Sequence, residues 1–151
     1  MDVNMIMAYT GVALMVGLAG LGSCIGLSYC GKAAIGGMKK DPSKMGQFIG
    51  LSALPSSQGL YGFVGWFFAN SLITPEMTSQ VAVAILLCGL LLGAVGLGSA
   101  IKQGSILANG IAATADGHNV FAISMVEAVF PELYAILALL VSLLTFLAFG
   151  A

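Results

Sequence analysis

The stretch Phe130-Pro131-Glu132-Leu133-Tyr134-Ala135-Ile136-Leu137 places one carboxylate in a run of apolar residues that continues to Ala151. The run is long enough to cross a bilayer, because a membrane-spanning α-helix needs about 20 predominantly apolar residues. A carboxylate inside lipid is costly unless it is paired, protonated or bound to a cation. The stretch therefore predicts a membrane helix, and Glu132 is the first candidate for an ion site.

The composition indicates that the whole chain lies in a membrane. Of its 151 residues, 59% are hydrophobic and only 7% are charged, whereas soluble domains carry about a quarter charged residues. The charges are clumped, and they leave four long apolar stretches at residues 5–37, 45–73, 79–112 and 120–149. We therefore predict an all-α integral membrane protein with four transmembrane helices. The net charge of −1 gives no argument for a nucleic-acid partner.

The basic residues predict how the chain is oriented in the membrane. Lys39, Lys40 and Lys44 cluster in the first connection, whereas the connection at 74–78 carries Glu76 and no base. Cytoplasmic loops of membrane proteins are enriched in Lys and Arg. Loops 38–44 and 113–119 are therefore predicted to be cytoplasmic, and both termini are predicted to lie on the outer side.

The chain contains an internal repeat. A shift of 76 residues superposes Gly20-Leu21-Gly22-Ser23 on Gly96-Leu97-Gly98-Ser99 and Pro55 on Pro131. Residues 1–75 and 76–151 are therefore predicted to be duplicated helical hairpins, an organisation that is common in membrane transport proteins. The same shift places Ser56 opposite Glu132, so only the second hairpin carries the carboxylate.

The two kinds of predicted helix differ in bulk. The first and third are rich in glycine, and small residues let helix backbones approach closely in lipid. The second and fourth carry large aromatic side chains instead. These are Tyr61, Phe63, Trp66, Phe67 and Phe68, followed by Phe130, Tyr134, Phe146 and Phe149. This division predicts two layers, with slim helices inside and bulky helices facing lipid or partners.

Four polar side chains besides Glu132 stand out in these helices: Ser57, Gln58, Tyr61 and Gln103. Counted from the cytoplasmic helix ends, Gln58, Gln103 and Glu132 lie within about one turn of each other. Carboxylate, amide and hydroxyl oxygens suit a hard cation. Because they are more than a proton requires, they favour sodium. The alternative is that the glutamines and serines only form hydrogen bonds between helices.

The stretches Leu54-Pro55-Ser56-Ser57-Gln58-Gly59-Leu60-Tyr61-Gly62-Phe63 and Glu132-Leu133-Tyr134-Ala135-Ile136-Leu137 resemble the proteolipid (c or K) subunit of V-type and bacterial A/V-type rotary ATPases. The sodium-transporting members are the most similar. The resemblance implies a two-layered ring of identical subunits in lipid, and a stator subunit with an essential arginine. It also implies a central stalk at the cytoplasmic loops, near Lys39 and Lys44 and near Asp116 and Asn119.

The resemblance further implies the residues of the ion site. A Na⁺ ion would be bound by the Leu54 backbone carbonyl, the Ser57 hydroxyl, the Gln58 and Gln103 side chains and the Glu132 carboxylate. Tyr61 would donate a hydrogen bond to the closed glutamate. Serine at position 57 departs from the threonine that is frequent in this family, and it keeps the donor oxygen while losing a methyl group.

Three charged residues are not explained by the resemblance. Glu127 is a second acid in the fourth helix, about 140° around the axis and about 7.5 Å along it from Glu132. We interpret Glu127, which lies closer to the cytoplasmic side, as lining an access path or as extending its carboxylate toward water. Lys32 and Lys102 are interpreted as cations near the cytoplasmic helix ends whose ammonium groups extend toward water.

The sequence contains no phosphate-binding glycine loop on a strand and no nucleophile constellation, so no catalytic site is expected in this chain. The predicted function is ion translocation by a rotor ring, with Na⁺ as the carried ion. One alternative keeps the ring and replaces Na⁺ by H⁺ alone, because a carboxylate also binds protons. An alternative of a different class is a small membrane channel or transporter that functions without an ATPase.

Overall fold

The computed structural model describes residues 2–150, so Met1 and Ala151, the outer limits of the two predicted hairpins, lie outside it. The described residues are helical apart from short connections, in agreement with the predicted all-α class. The α-helices are α1 (Val3–Lys40), α2 (Met45–Ala53), α3 (Ser57–Asn70), α4 (Ser79–Ala115) and α5 (Phe121–Gly150). Two 3-10 turns, Pro42–Lys44 and Leu54–Ser56, flank α2.

Three of these helices are long and apolar enough to cross a membrane, namely α1, α4 and α5. They contain 38, 37 and 30 residues. At 1.5 Å per residue they measure about 57, 56 and 45 Å, which exceeds the roughly 30 Å of hydrocarbon in a bilayer. They correspond to the first, third and fourth predicted spans, and their ends differ from the predicted ones by three residues or fewer.

The second predicted span differs from a single helix, because it is divided into α2 and α3 by the turn at Leu54–Ser56. Proline lacks an N–H group and clashes with the preceding turn. Hydroxyl groups around Pro55 also bond to the backbone, since Ser52 donates to the Phe48 carbonyl and Ser56 to the Ala53 carbonyl. The equivalent Pro131 has no such serines beside it, and α5 runs through it unbroken.

The backbones of α1 and α4 are in direct contact. A Cβ atom added at Gly22 of α1 would lie 2.6 Å from the Leu97 Cα of α4, and one at Gly11 would lie 2.6 Å from the Leu86 Cα. From the other side, a Cβ at Gly104 of α4 would overlap the backbone of Gly26. Glycine is required at these positions because only hydrogen atoms fit between the helices.

The remaining helices pack against one flank of this pair. A Cβ at Gly62 of α3 would lie 2.7 Å from the Met15 carbonyl oxygen of α1, and Gly110 of α4 faces Ser124 of α5. Both α3 and α5 carry large exposed apolar side chains. These include Phe63, Phe67, Leu133, Tyr134 and Leu144. Within one subunit, slim and bulky helices are therefore segregated.

The connection that follows α1 and the connection that follows α4 meet at one end of the bundle. Lys40 forms an ion pair with Asp116, and Lys44 donates to the Thr114 carbonyl at 2.7 Å. The Lys40 side chain holds the pKa of Asp116 below its ordinary value, chiefly through this hydrogen bond. Asp116 is therefore charged at neutral pH, and the contact fastens the end of α1 to the end of α4.

The described ends of the chain lie at the opposite end of the bundle. Asn4 donates to the Met77 carbonyl at 3.3 Å, and Gly150 lies beside Leu72. Residues 2 and 150 therefore share one end with the connection at 71–78. Which side of a membrane each end faces remains a prediction.

Candidate ion-binding site

The carboxylate of Glu132 is held by one side chain from α3 and one from α4. Tyr61 Oη donates to Oε1 at 2.8 Å, and Gln103 Nε2 donates to Oε2 at 3.0 Å. Each carboxylate oxygen therefore has a donor, and Glu132 itself is half-buried on α5. The predicted contact between Tyr61 and Glu132 is present in the structure.

Gln103 connects Glu132 to the rest of the site. Its side chain is fully buried, and Nε2 donates a second hydrogen bond to the Ala128 carbonyl at 3.0 Å. Its Oε1 atom accepts a hydrogen bond from Gln58 Nε2 at 3.1 Å. Buried polar groups are costly unless they are bonded. These contacts satisfy the Gln103 amide and fix its position between α3 and α5.

The remaining predicted residues lie at the broken part of the second span. Ser57 Oγ donates to the Leu54 carbonyl at 3.1 Å and lies 3.3 Å from Gln58 Oε1. Pro55 creates this arrangement, because the 3-10 turn that it occupies directs the Leu54 carbonyl toward the Ser57 hydroxyl. The structure thus joins Leu54, Ser57, Gln58, Tyr61, Gln103 and Glu132 into one connected network.

Ser99 also belongs to this network, although its role was missed in the sequence. Its hydroxyl donates to the Pro131 carbonyl at 2.8 Å and accepts from Gln58 Nε2 at 3.1 Å. The repeat contains the signal, because Ser99 corresponds to Ser23 in the first half. Ser23 Oγ accepts a hydrogen bond from the Gly59 backbone at 2.8 Å. Ser23 thus joins α1 to α3, and Ser99 joins α4 to α5.

Replacement of Ser99 by alanine tests this role. Because two hydrogen bonds are lost near a buried amide, we expect the free energy of unfolding to fall by about 1–2 kcal/mol. Thermal unfolding of the purified subunit in detergent measures the change. Ser105→Ala is the matched control, since Ser105 is exposed on the same helix. Equal effects of the two substitutions would contradict a bonding role for Ser99.

The site is rich in oxygen and has a single carboxylate. Its oxygens come from the Leu54 carbonyl, the Ser57 hydroxyl, the two glutamine amides and Glu132. Hard monovalent and divalent cations prefer such donors, whereas zinc and copper prefer nitrogen and sulfur. Within residues 2–150, no three His, Cys, Asp or Glu side chains are grouped so that they could hold a metal ion. The donor set therefore fits one small cation of low charge.

Two charged residues, Lys102 and Glu127, lie beside the site but outside its network. Lys102 precedes the buried Gln103 and lies thirteen residues before the end of α4 at Ala115, about 20 Å along the axis. The interpretation of Lys102 as a residue near the cytoplasmic helix end is therefore wrong. Glu127 is exposed and makes no hydrogen bond with the Glu132 network. Lys102 and Glu127 line the same groove between α4 and α5.

Comparison with known proteins assigns the family. A family model that describes the C subunit of ATP synthase matches the chain twice, over residues 10–69 and 86–145. The chain belongs to this ATP synthase C-subunit family. The membership confirms the predicted c/K-type proteolipid, a membrane subunit with no catalytic site of its own.

Two curated relatives place the chain more closely within the ATP synthase C-subunit family. It is 39% identical over 140 residues to the A-type ATP synthase subunit K of Methanocaldococcus jannaschii, which covers 93% of this chain and 61% of the relative. It is 33% identical over 141 residues to the V-type sodium ATPase subunit K of Enterococcus hirae, covering 93% of this chain and 90% of the relative. The chain thus spans about three fifths of the archaeal relative.

Proposed function

We propose that this chain is an ion-translocating subunit of the membrane rotor ring of an A/V-type rotary ATPase, and that Glu132 binds and releases Na⁺ as the ring turns. The observation that carries the proposal is the network that joins the Glu132 carboxylate to oxygen atoms of α3, α4 and the Leu54–Ser56 turn. The similarity to a subunit of a sodium ATPase supports Na⁺ as the ion.

The proposal includes four membrane crossings that arose by duplication of a hairpin. The segment from α2 through α3 covers residues 45–70, which exceeds the roughly 20 residues that a crossing requires. We assign it as the second crossing. The two matches of the family model support the duplication, because the second match begins and ends 76 residues after the first.

The repeat also suggests how copies assemble. On α4, the residues that face α1 are Gly89, Gly93, Gly96, Ala100 and Gly104. Their counterparts 76 residues earlier on α1 are Ala13, Gly17, Gly20, Cys24 and Ser28, which lie on the flank of α1 away from α4. Nothing lies within 4 Å of a Cβ added at Gly17 or Gly20. A head-to-tail contact in which α4 of another copy meets this flank would repeat until a ring closes.

The network also supports a specific arrangement of the bound ion. Na⁺ would take the Gln58 and Gln103 side-chain oxygens, together with the Leu54 carbonyl, the Ser57 hydroxyl and one Glu132 oxygen. The ion then replaces the hydrogen bond between the two amides, while Tyr61 continues to hold the carboxylate. The negative charge of Glu132 is neutralised by the ion, which removes most of the cost of placing it in lipid.

Translocation follows from the same contacts. A stator arginine attracts the Glu132 carboxylate, and the hydrogen bonds from Tyr61 and Gln103 to that carboxylate break. The ion then leaves into an aqueous half-channel. A second half-channel reloads the site after the ring has turned. Rotation is driven by ATP hydrolysis in other subunits, through a central stalk that contacts the connections at 41–44 and 116–120. In reverse, ion flow would drive ATP synthesis.

Carbodiimide labelling of Glu132 tests the proposed ion. Carbodiimides react with a protonated carboxyl group, so a bound Na⁺ ion protects it. We expect millimolar Na⁺ at mildly alkaline pH to slow labelling of Glu132 at least tenfold, whereas the same concentration of K⁺ should give little protection. Mass spectrometry of the labelled peptide measures the rate. Labelling that is insensitive to Na⁺ would favour H⁺ alone as the carried ion.

The mass of the detergent-solubilised assembly tests the rotor. A ring gives one large closed oligomer whose mass is an integer multiple of the subunit mass. A monomer or dimer under conditions that preserve native membrane complexes would instead favour a small channel or transporter that acts without an ATPase.

A further inference from the structure

Two side chains of opposite charge face one groove at the depth of the ion site. The groove between α4 and α5 has a volume of about 470 Å³, and both Lys102 and Glu127 line it. Its other walls are largely apolar and include Val95, Ile106 and Phe130. An ionisable residue inside a membrane is costly unless it has a partner. The positions of Lys102 and Glu127 are therefore best explained together, because each could be the partner that the other needs.

The hydrogen bond between Gln103 and Ala128 sets the relative height of the two residues. Gln103 Nε2 lies 3.0 Å from the Ala128 carbonyl oxygen, and Lys102 and Glu127 are their immediate neighbours on the antiparallel helices α4 and α5. Both side chains thus enter the groove within about one helical turn of each other in height. Lys102 lies thirteen residues before the end of α4, next to a member of the Glu132 network.

Neither side chain has an ion-pair partner in the isolated subunit. Among residues 2–150 the ion pairs are Lys40 with Asp116 and Lys44 with Asp41, both at the end of the bundle. Lys102 and Glu127 are exposed in one copy of the chain. Across this groove each of them faces the other's opposite charge, whereas the second groove that Lys102 lines contains the like charge of Lys32.

The repeat indicates what closes the groove, on the basis of the proposed ring. Lys102 corresponds to Gly26, which packs tightly against Ala100 and Gly104 of α4. The counterparts of Ala100 and Gly104 are Cys24 and Ser28, and both are exposed on α1. A second copy would therefore place its Cys24 and Ser28 over Lys102.

We propose that Lys102 and Glu127 form an ion pair enclosed between α4 and α5 of one subunit and α1 of the next copy, beside the Glu132 site. The pair is neutral as a whole, so it can be covered by the small residues of α1 without leaving an isolated charge in the interface. It also keeps the net electrostatic effect on the neighbouring ion site small, because the Lys102 and Glu127 charges act on Glu132 with opposite sign.

Ring stability tests the pairing through single and double substitutions. Removing one partner of a buried pair leaves an uncompensated charge, whereas removing both is often close to neutral. We expect Lys102→Met and Glu127→Gln each to increase ring dissociation at least tenfold, and the double variant to dissociate much like the unmodified ring. Native mass spectrometry during a temperature ramp measures the dissociated fraction. Glu76→Gln, in the exposed connection at 71–78, is the control and should have no effect.

The affinity of the Glu132 site for Na⁺ is a second measurement. A purely structural role of Lys102 and Glu127 would leave this affinity unchanged. Glu127→Gln leaves the Lys102 charge beside Glu132, so the Na⁺ concentration for half-protection from carbodiimide should rise. Lys102→Met should lower this concentration, and each change should be roughly tenfold. The double variant should return near the original value. If Glu127→Gln alone slows labelling and Lys102→Met has no effect, Glu127 lines an access path and the pair is overturned.

A disulfide tests the enclosure by the next copy in a Glu127→Gln background, in which replacing Lys102 leaves no unpaired charge in the groove. Lys102→Cys should form an inter-subunit disulfide with Cys24 on oxidation with copper phenanthroline, and adding Cys24→Ser should abolish it. No cross-link in an intact ring would overturn the placement of α1 over the groove. Additive single substitutions in an intact ring would overturn the pair alone. Failure of the unmodified chain to form a ring would overturn the proposed rotor itself.

Discussion

Replacing Glu132 with glutamine is expected to abolish ion translocation while leaving the ring assembled. Glutamine keeps the size of the side chain and can still bond to Tyr61 and Gln103. It removes the only carboxylate of the network, and with it the Coulomb attraction for the ion. For a unit charge at about 4 Å in a partly buried setting, this loss is about 4 kcal/mol, or on the order of 1,000-fold in ion affinity.

Uptake of radioactive Na⁺ into vesicles that contain the assembled ATPase measures this effect. Glu76→Gln is the matched control, because it makes the same chemical change in an exposed connection, and uptake should be unchanged. The mass of the solubilised ring should be the same for both variants. Uptake within a few-fold of the original rate in Glu132→Gln would contradict the assignment of Glu132 as the ion carrier.

Replacing Gly104 with alanine is expected to destabilise the fold strongly. The added methyl group would overlap the Cα, carbonyl carbon and carbonyl oxygen of Gly26. Backbone atoms in the middle of two long helices cannot move aside separately, so α1 and α4 must separate along part of their length. We expect a loss of about 3 kcal/mol or more, at the upper end for overpacked cores.

The temperature of thermal unfolding and the yield of protein in the membrane measure this loss. Gly36→Ala is the matched control, because no atom lies within 4 Å of a Cβ added there and alanine favours the helix. Gly36→Ala should unfold at or slightly above the original temperature. Similar behaviour of the two variants would contradict a role for backbone contact between α1 and α4.

The course of the helices was predictable only in part. The apolar lengths located α1, α4 and α5 to within a few residues, because crossing a bilayer constrains length directly. Pro55 and Pro131 occupy equivalent positions in the repeat, yet only the first interrupts its helix. The difference coincides with the serine hydroxyls beside Pro55, which bond to backbone carbonyls, a kind of contact that often bends helices.

The residues of the ion site could be predicted from the sequence more completely than the hydrogen bonds between them. Polar residue types in apolar helices are visible in any sequence, and their depth follows from counting turns. The rotation of each helix about its axis is not visible in this way. It decides that Gln103 bonds to both Gln58 and Glu132, that Ser99 joins them, and that Lys102 turns instead toward a groove.

The sequence by itself determined that this protein is helical, that it lies in a membrane and that Glu132 is its exceptional charge. These conclusions rest on hydropathy and spacing, which are properties of the chain alone. Only the tertiary structure decided which donors hold each oxygen of Glu132 and that Lys102 and Glu127 share a groove. The reason is physical: glycine contacts between α1 and α4 constrain how these helices are rotated, and helix rotation selects which polar side chains meet across the helices.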